Sequence, residues 1–230
     1  DGLHHSAAVM EEGNLATKKE QVYNANISAT SQLNVLDGLR LEVNPYIMIS
    51  DSFINQVPTG VMATNRGVFP IWTFQQIKAR IFGVDVDAEL KLNKNLKWNG
   101  SFSYLKGDDL SNDEPLILMM PINLRQSLEI KLNNKNNFYV RVENENTFKQ
   151  NRYPMRNVTV DFIENGNVVN REIDYSSPPA GYSIFHISAG IDVVKNLNFN
   201  LRVNNVFNKE YREYLNRLRY FMPEPGRNVV

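Results

Sequence analysis

Arginines and aromatic residues gather in stretches of this sequence that carry no strand-like pattern. Arg66, Phe69 and Trp72 fall in one, Arg152, Tyr153 and Arg156 in a second, and Tyr214, Arg217, Arg219 and Tyr220 in a third. A guanidinium presents a planar fork of donors that fits carboxylate or catecholate oxygens two at a time, and aromatic rings give flat contact area to a bulky ligand. The chemistry open to these residues is binding of a bulky, oxygen-rich molecule, with no covalent bond made or broken. The bland use of the same side chains is to hold loops to one another.

Other groups offer less. His4 and His5 present imidazoles, yet neighbouring residues on a strand point to opposite faces, so the pair is a weak metal candidate. Met119 and Met120 are soft donors of the kind copper takes, or packing for a loop. Asp85, Asp87 and Glu89, and again Glu143 and Glu145, place carboxylates on alternate residues. That spacing resembles an acid/base pair, but along a strand facing water it needs no catalytic role. The sequence shows no phosphate loop, nucleophile elbow, zinc spacing or Cys/His cluster. The expectation is a non-enzyme with no cofactor.

Composition narrows the partners. With 25 basic and 25 acidic residues in 230 and a net charge of +0, the chain has no overall field to draw in nucleic acid, and none is expected. There is no cysteine, so disulfides and thiolate metal sites are excluded. The longest apolar run, "PLILMMPI" at 115–122, is far short of the roughly 18 residues of a membrane helix. Such a test does not see membrane β-strands, whose lipid-facing and lumen-facing residues alternate.

The elements that must position these residues are strands. Period-two alternation runs through 39–49, 84–92, 96–104, 183–193 and 197–204, with further candidates at 20–34, 122–132 and 137–149. In 96–104, Leu96, Trp98, Gly100, Phe102 and Tyr104 share one face, and Lys97, Asn99, Ser101 and Ser103 the other. Many of these strands reach about ten residues, the length of a tilted membrane strand, where a globular strand averages roughly 5–6. Short connections (34–38, 93–95, 133–137, 195–196) alternate with long ones (55–72, 108–120, 151–181, 209–226), the pattern of short periplasmic turns and long extracellular loops. Tyr23, Tyr46, Phe53, Trp72, Trp98, Tyr104, Phe138, Phe148 and Tyr182 lie near strand ends, as an interfacial girdle would. A soluble β-sandwich or lectin-like binding module would also alternate, with shorter strands and no girdle.

Several motifs resemble those of TonB-dependent outer-membrane receptors. In "LRVNNVFNKEYREYLNRLRYFMPEPGRN", Asn205, Val206, Phe207, Asn208, Lys209 and Tyr211 match a strand-ending pattern. Pro225, Gly226, Arg227 and Asn228 match the P-G-R-N that opens the last strand. "GVDVDAELKLNKNLKWNGSFSYLKGDD", "DEPLILMMPINLRQSLEI" and "GYSIFHISAGIDV" resemble the preceding strands, and "GLHHSAAVMEEGN" resembles an extracellular loop of iron-chelate-type receptors, particularly those of Bacteroidetes.

The resemblance implies an all-β fold, a transmembrane antiparallel β-barrel of about 22 strands with a plugged lumen. Residues 1–230 would be its carboxy-terminal portion, without the plug domain and the last strand. It further implies a bacterial outer-membrane location and uptake of a scarce small-molecule chelate, a ferric siderophore or another metal chelate. The TonB complex would act through the plug, with outer-membrane lipid and lipopolysaccharide around the barrel. Peptide or glycan import uses the same barrel and stays open.

Overall fold

The computed structural model describes residues 2–4, 7–34, 38–65, 67–132, 137–194 and 197–230. Four short strands open the chain: β1 (Gly2–His4), β2 (Val9–Glu12), β3 (Val22–Asn26) and β4 (Ala29–Leu33). The frame follows with β5 (Leu39–Thr64), β6 (Gly67–Asn93), β7 (Leu96–Asp109), β8 (Glu114–Pro115), β9 (Asn123–Leu132) and β10 (Phe138–Thr147). A hairpin of β11 (Asn157–Glu164) and β12 (Asn167–Asp174) precedes β13 (Tyr182–Val194), β14 (Leu197–Asn204) and β15 (Asn228–Val229). All but that hairpin share a 13-stranded sheet in which β5, β6, β7, β9, β10, β13, β14 and β15 pair in succession, each antiparallel to the next.

The register explains why these sequences pair. Val86 lies opposite Val43 on one side and Phe102 on the other, while Asp87 lies opposite Glu42 and Ser101. Carried across the sheet, this alternation sorts the residues onto two faces, and a slip of one position would exchange them. The polar face is tied by ion pairs between neighbouring strands, Lys97 to Glu89 at 2.7 Å, Arg125 to Glu145 at 2.7 Å and Arg141 to Glu129, and by Arg202 of β14, which reaches across β13 to Glu143 of β10 at 3.0 Å. On the apolar face Ile47, Ile49, Leu128, Ile130, Val142, Ile187, Phe199 and Leu201 stand 39–60 % exposed. An aliphatic face this broad is unsuited to water and suited to hydrocarbon. Gly83 leaves room for the Tyr46 ring, since a Cβ there would lie 2.5 Å from both the Tyr46 hydroxyl and the Tyr104 carbonyl.

Three sequence expectations change. Residues 55–72 are not a loop: β5 and β6 continue as a paired ladder to Thr64 and Gly67, past Pro58 and Gly60 where the register shifts. Such a bulge absorbs the residues that read as strand breakers. The stretch 20–34 splits into β3 and β4, both paired to β5. The long connection 151–181 contains the β11–β12 hairpin, whose turn residues Asn165 and Gly166 both have positive φ, as a two-residue hairpin turn requires. At the opposite, short-turn end, Asn93 closes the β6–β7 turn by accepting from the backbone of Asn95 at 2.9 Å and Leu96 at 3.0 Å. The other short turns fall partly outside the described residues.

Candidate functional site

The connection between β14 and β15 dominates the long-loop side. Asn205 and Asn208 both hold positive φ, which asparagine tolerates better than other side chains. The Asn205 amide, buried at the end of β14, donates to the Lys209 carbonyl and accepts from the Lys209 backbone, both at 2.8 Å. Asn208 Oδ1 accepts from the Arg227 backbone at 2.8 Å, and a Cβ on Gly226 would come within 2.7 Å of that oxygen. The two ends of the loop are thus clasped together by the residues that form the sequence motif.

Inside the loop, Arg219 is 3 % exposed and lies between the rings of Tyr214 at 4.8 Å and Tyr220 at 4.4 Å. It donates to the carbonyls of Tyr214 and Tyr175 and to the Tyr220 hydroxyl, which in turn donates to the Tyr175 carbonyl. Burial lowers the Arg219 pKa from its ordinary value and pushes the Tyr220 hydroxyl up to about 12. Tyr214 is equally buried, and its hydroxyl accepts from the Leu118 backbone at 3.3 Å. These three predicted ligand residues come together as the core of the loop, where their polar atoms are already engaged.

Arg217 fastens the loop tip to the rest of the protein. Its guanidinium stacks 4.6 Å from the Trp72 ring, pairs with Glu11 at 3.2 Å and donates to Gln56. Trp72 is 0 % exposed and packs with Val9, Val57 and Ile117, so it belongs to a small core and not to an interfacial girdle. His4 Nδ1 lies 3.5 Å from Glu11 Oε1, while His5 lies outside the described residues. The Gln56 amide that donates to Glu11, with His4 and Arg217 beside it, holds this carboxyl below its ordinary range against the opposing effect of burial. A depressed carboxyl stabilises the folded contact above its unfolded pKa and loses that contribution as pH falls through its folded value. The loop tip is therefore expected to release as pH drops below the ordinary carboxylate range, and Glu11→Gln to remove that dependence. Backbone hydrogen exchange across 214–220 in the full-length receptor, native against variant at each pH, reads it; an acid transition identical in both proteins would show that another group controls the loop.

The other predicted residues are scattered. Arg152 donates to the Gly107 carbonyl at 2.7 Å and pairs with Asp108, while Arg156 pairs with Glu114. The Tyr153 hydroxyl accepts from Ser177 at 3.3 Å, Phe69 faces Met62 across the β5–β6 ladder, and Arg66 lies outside the described residues. Met119 packs against Gly107 and the core of Ile77, Ala79 and Leu116. A cavity of about 240 Å³ at the long-loop end of β13 was not foreseen: Tyr182, Lys209, Tyr211 and Arg212 line it, and the two tyrosine rings stand 4.4 Å apart. Its two halves are distant in sequence, so no local spacing marks it.

The family model described as "TonB dependent receptor-like, beta-barrel" matches residues 4–206. The chain belongs to the TonB-dependent receptor family. TonB-dependent receptors are outer-membrane β-barrels. Among solved structures, the copper transporter OprC is 20 % identical with a TM-score of 0.72, over 94 % of this chain and 31 % of its own. A ferric enterobactin receptor, PfeA of Pseudomonas aeruginosa (the G324V mutant), is 17 % identical with a TM-score of 0.60, over 91 % of this chain and 30 % of its own. The siderophore receptor PirA of Acinetobacter baumannii is 16 % identical with a TM-score of 0.60, over 95 % of this chain and 32 % of its own. At these identities the likeness is one of fold, and the chain spans about a third of the length of these TonB-dependent receptors. No curated protein matches the sequence.

Proposed function

We propose that these residues form the carboxy-terminal portion of a TonB-dependent receptor that captures a scarce metal chelate, of the ferric siderophore kind, at its extracellular side and imports it. The observation that carries this reading is the clasped loop 205–227, held over the long-loop side by Arg217 and bordered by a cavity with two tyrosine rings, Lys209 and Arg212. Two cations beside a tilted pair of tyrosine rings, with Glu210 as the one carboxylate in the lining, suit a flat, oxygen-rich anion. Solved structures that share the fold bear names for copper, ferric enterobactin and siderophore uptake, which agrees with a metal-chelate class. Import needs differential binding and force from a TonB complex acting on a plug domain, not covalent catalysis. Phe69 on β6 and Tyr153 in the connection after β10 remain candidate contacts, Arg66 stands as a candidate from the sequence alone, and Arg152 and Arg156 are available only if their carboxylates are displaced.

Replacing 209–222 with a Gly/Ser linker of equal length in the full-length receptor removes Lys209, Tyr211 and Arg212 together. Binding and uptake of a ferric chelate are expected to fall about 100-fold, the loss of two or so strong contacts, with barrel assembly intact. Unchanged uptake would remove the loop from the binding site, and transport of a peptide or glycan in place of a chelate would change the substrate class.

A further inference from the structure

We infer that Asn165, at the tip of the β11–β12 hairpin, is a site of spontaneous covalent modification that turns its amide into a carboxylate and lengthens the backbone of the turn. The reaction needs an asparagine, a following residue without a side chain, a backbone nitrogen free to attack, and water. The sequence offers two such pairs, Asn99-Gly100 and Asn165-Gly166. The structure separates them. Gly100 lies in β7 between Ala88 of β6 and Gln126 of β9, so ladders on both sides fix the backbone there. The Trp98 ring covers it, since a Cβ on Gly100 would lie 2.5 Å from that ring, and the Asn99 amide donates to Ser127 Oγ at 3.4 Å. Asn165 and Gly166 are both exposed and form the centre of the turn, with φ of 50° and 82°. The last ladder pair is Glu164 with Asn167, and nothing lies within 4 Å of where a Cβ on Gly166 would stand. In a two-residue turn the closing hydrogen bond joins the flanking residues, which leaves the Gly166 N–H to solvent.

The Gly166 nitrogen gives its proton to solvent base and attacks Asn165 Cγ. The N–Cγ bond forms, the Cγ–Nδ2 bond breaks and ammonia leaves. Water then opens the cyclic imide at one of its two carbonyls. Opening at Cγ yields aspartate, and opening at the Asn165 backbone carbonyl yields isoaspartate, whose main chain runs on through Cβ and Cγ. The extra methylene breaks the geometry of a two-residue turn, in which both residues hold positive φ. Either product adds a carboxylate beside Glu164, which already pairs with Arg171. Among the described residues the hairpin is a two-stranded sheet bonded to no other strand, so no neighbour holds the register at its tip once the turn changes. At its base Val158 is 7 % exposed and Asn157 stays paired with Asp174, which confines the loosening to the outer half.

The test incubates the full-length receptor in detergent at mildly alkaline pH and follows both asparagines by peptide mass spectrometry, with isoaspartate read by enzymatic methylation. Synthetic peptides spanning 95–104 and 160–171 give the unrestrained rates under the same conditions. Asn165 in the receptor is expected to convert within about tenfold of its peptide, the cost of fraying a turn tip. Asn99 is expected to convert at least about 100-fold more slowly than its own peptide, the cost of opening a strand paired on both sides. In the aged receptor backbone hydrogen exchange should rise across 161–170 and stay native across 157–159 and 172–174. Equal retardation of the two asparagines would overturn the site, and conversion with unchanged exchange across 161–170 would overturn its effect on the hairpin. The measurement needs no ligand, so it stands whatever the receptor imports.

Discussion

Arg219→Ala is expected to unlock residues 209–224 while the barrel stays folded, with backbone hydrogen exchange in that segment rising about 100-fold from the loss of about 3 kcal/mol of local stability. The magnitude follows from what surrounds the guanidinium: two tyrosine faces, at 4.8 and 4.4 Å, and three oxygen acceptors, at a position 3 % exposed. Alanine removes the cation from both rings, leaves the Tyr214 carbonyl without its donor and opens a void beside Tyr175. Arg219→Lys keeps the charge but not the planar fork, so it should recover only part of the protection. Arg219→Met separates volume from charge. Native-like exchange in that variant would mean the loop is held by packing alone and would remove the cation from the account. Because Tyr220 also leans on the Tyr175 carbonyl, the released segment should include the 175–177 connection after β12. Loss of protection confined to 209–224, with 175–177 unchanged, would show that the two loops are independent.

The frame of this protein is legible in its sequence because a membrane strand writes both of its faces in alternate letters. The alternation at 197–204 coincides with β14 residue for residue, and that at 183–193 with β13 to within one residue at each end. It fails where turn residues sit inside a ladder: Pro58, Gly60 and Pro70 make 55–72 read as a loop, yet Pro58 pairs with Trp72 and Val61 with Pro70 across a bulged hairpin. The Asn165-Gly166 pair flanked by alternating residues does carry a hairpin signal, although the surrounding 151–181 reads as one long loop. The clasp is half legible, since the Asn205–Asn208 pattern stands out while its contact to Arg227 depends on the loop closing. The anchoring of Arg217 is not legible at all. Its partner Glu11 lies 206 positions away, and although Glu11 falls within the stretch that resembles an extracellular loop, nothing there marks it as a partner of Arg217.

The candidate site shows the same division. Arginine and tyrosine types single out the last loop, which folds over the long-loop side, but residue type does not reveal which of them is already occupied. Arg219 and Tyr214 are buried, whereas Lys209 and Tyr211, which stand out in the sequence only as part of a strand-end motif, border the cavity. Structural use removes some of the strongest donors from the ligand set and leaves weaker ones exposed. Arg219 shapes the loop whose residues Lys209, Tyr211 and Arg212 border the cavity.

Leu128→Lys and Ser127→Lys, one residue apart on β9, should differ by about 2–4 kcal/mol in the free energy of folding into a bilayer, with only the first destabilising. Leu128 is 41 % exposed on the apolar face and lies between Trp98 and Val142, near the middle of its strand. An ammonium group there must either enter hydrocarbon or draw water in. Ser127 lies between Asn99 and Glu143 on the polar face, so a lysine there gains a carboxylate neighbour in a wet interior. The comparison holds strand, depth and added charge nearly constant and changes only the face. Urea titration of the full-length receptor refolded into vesicles measures both variants against the native protein. Equal destabilisation would mean that both faces of β9 are buried alike, which is the signature of a sandwich and not of a barrel wall. A cost confined to Leu128 would assign the two faces to lipid and lumen by energy, independently of any likeness to other receptors.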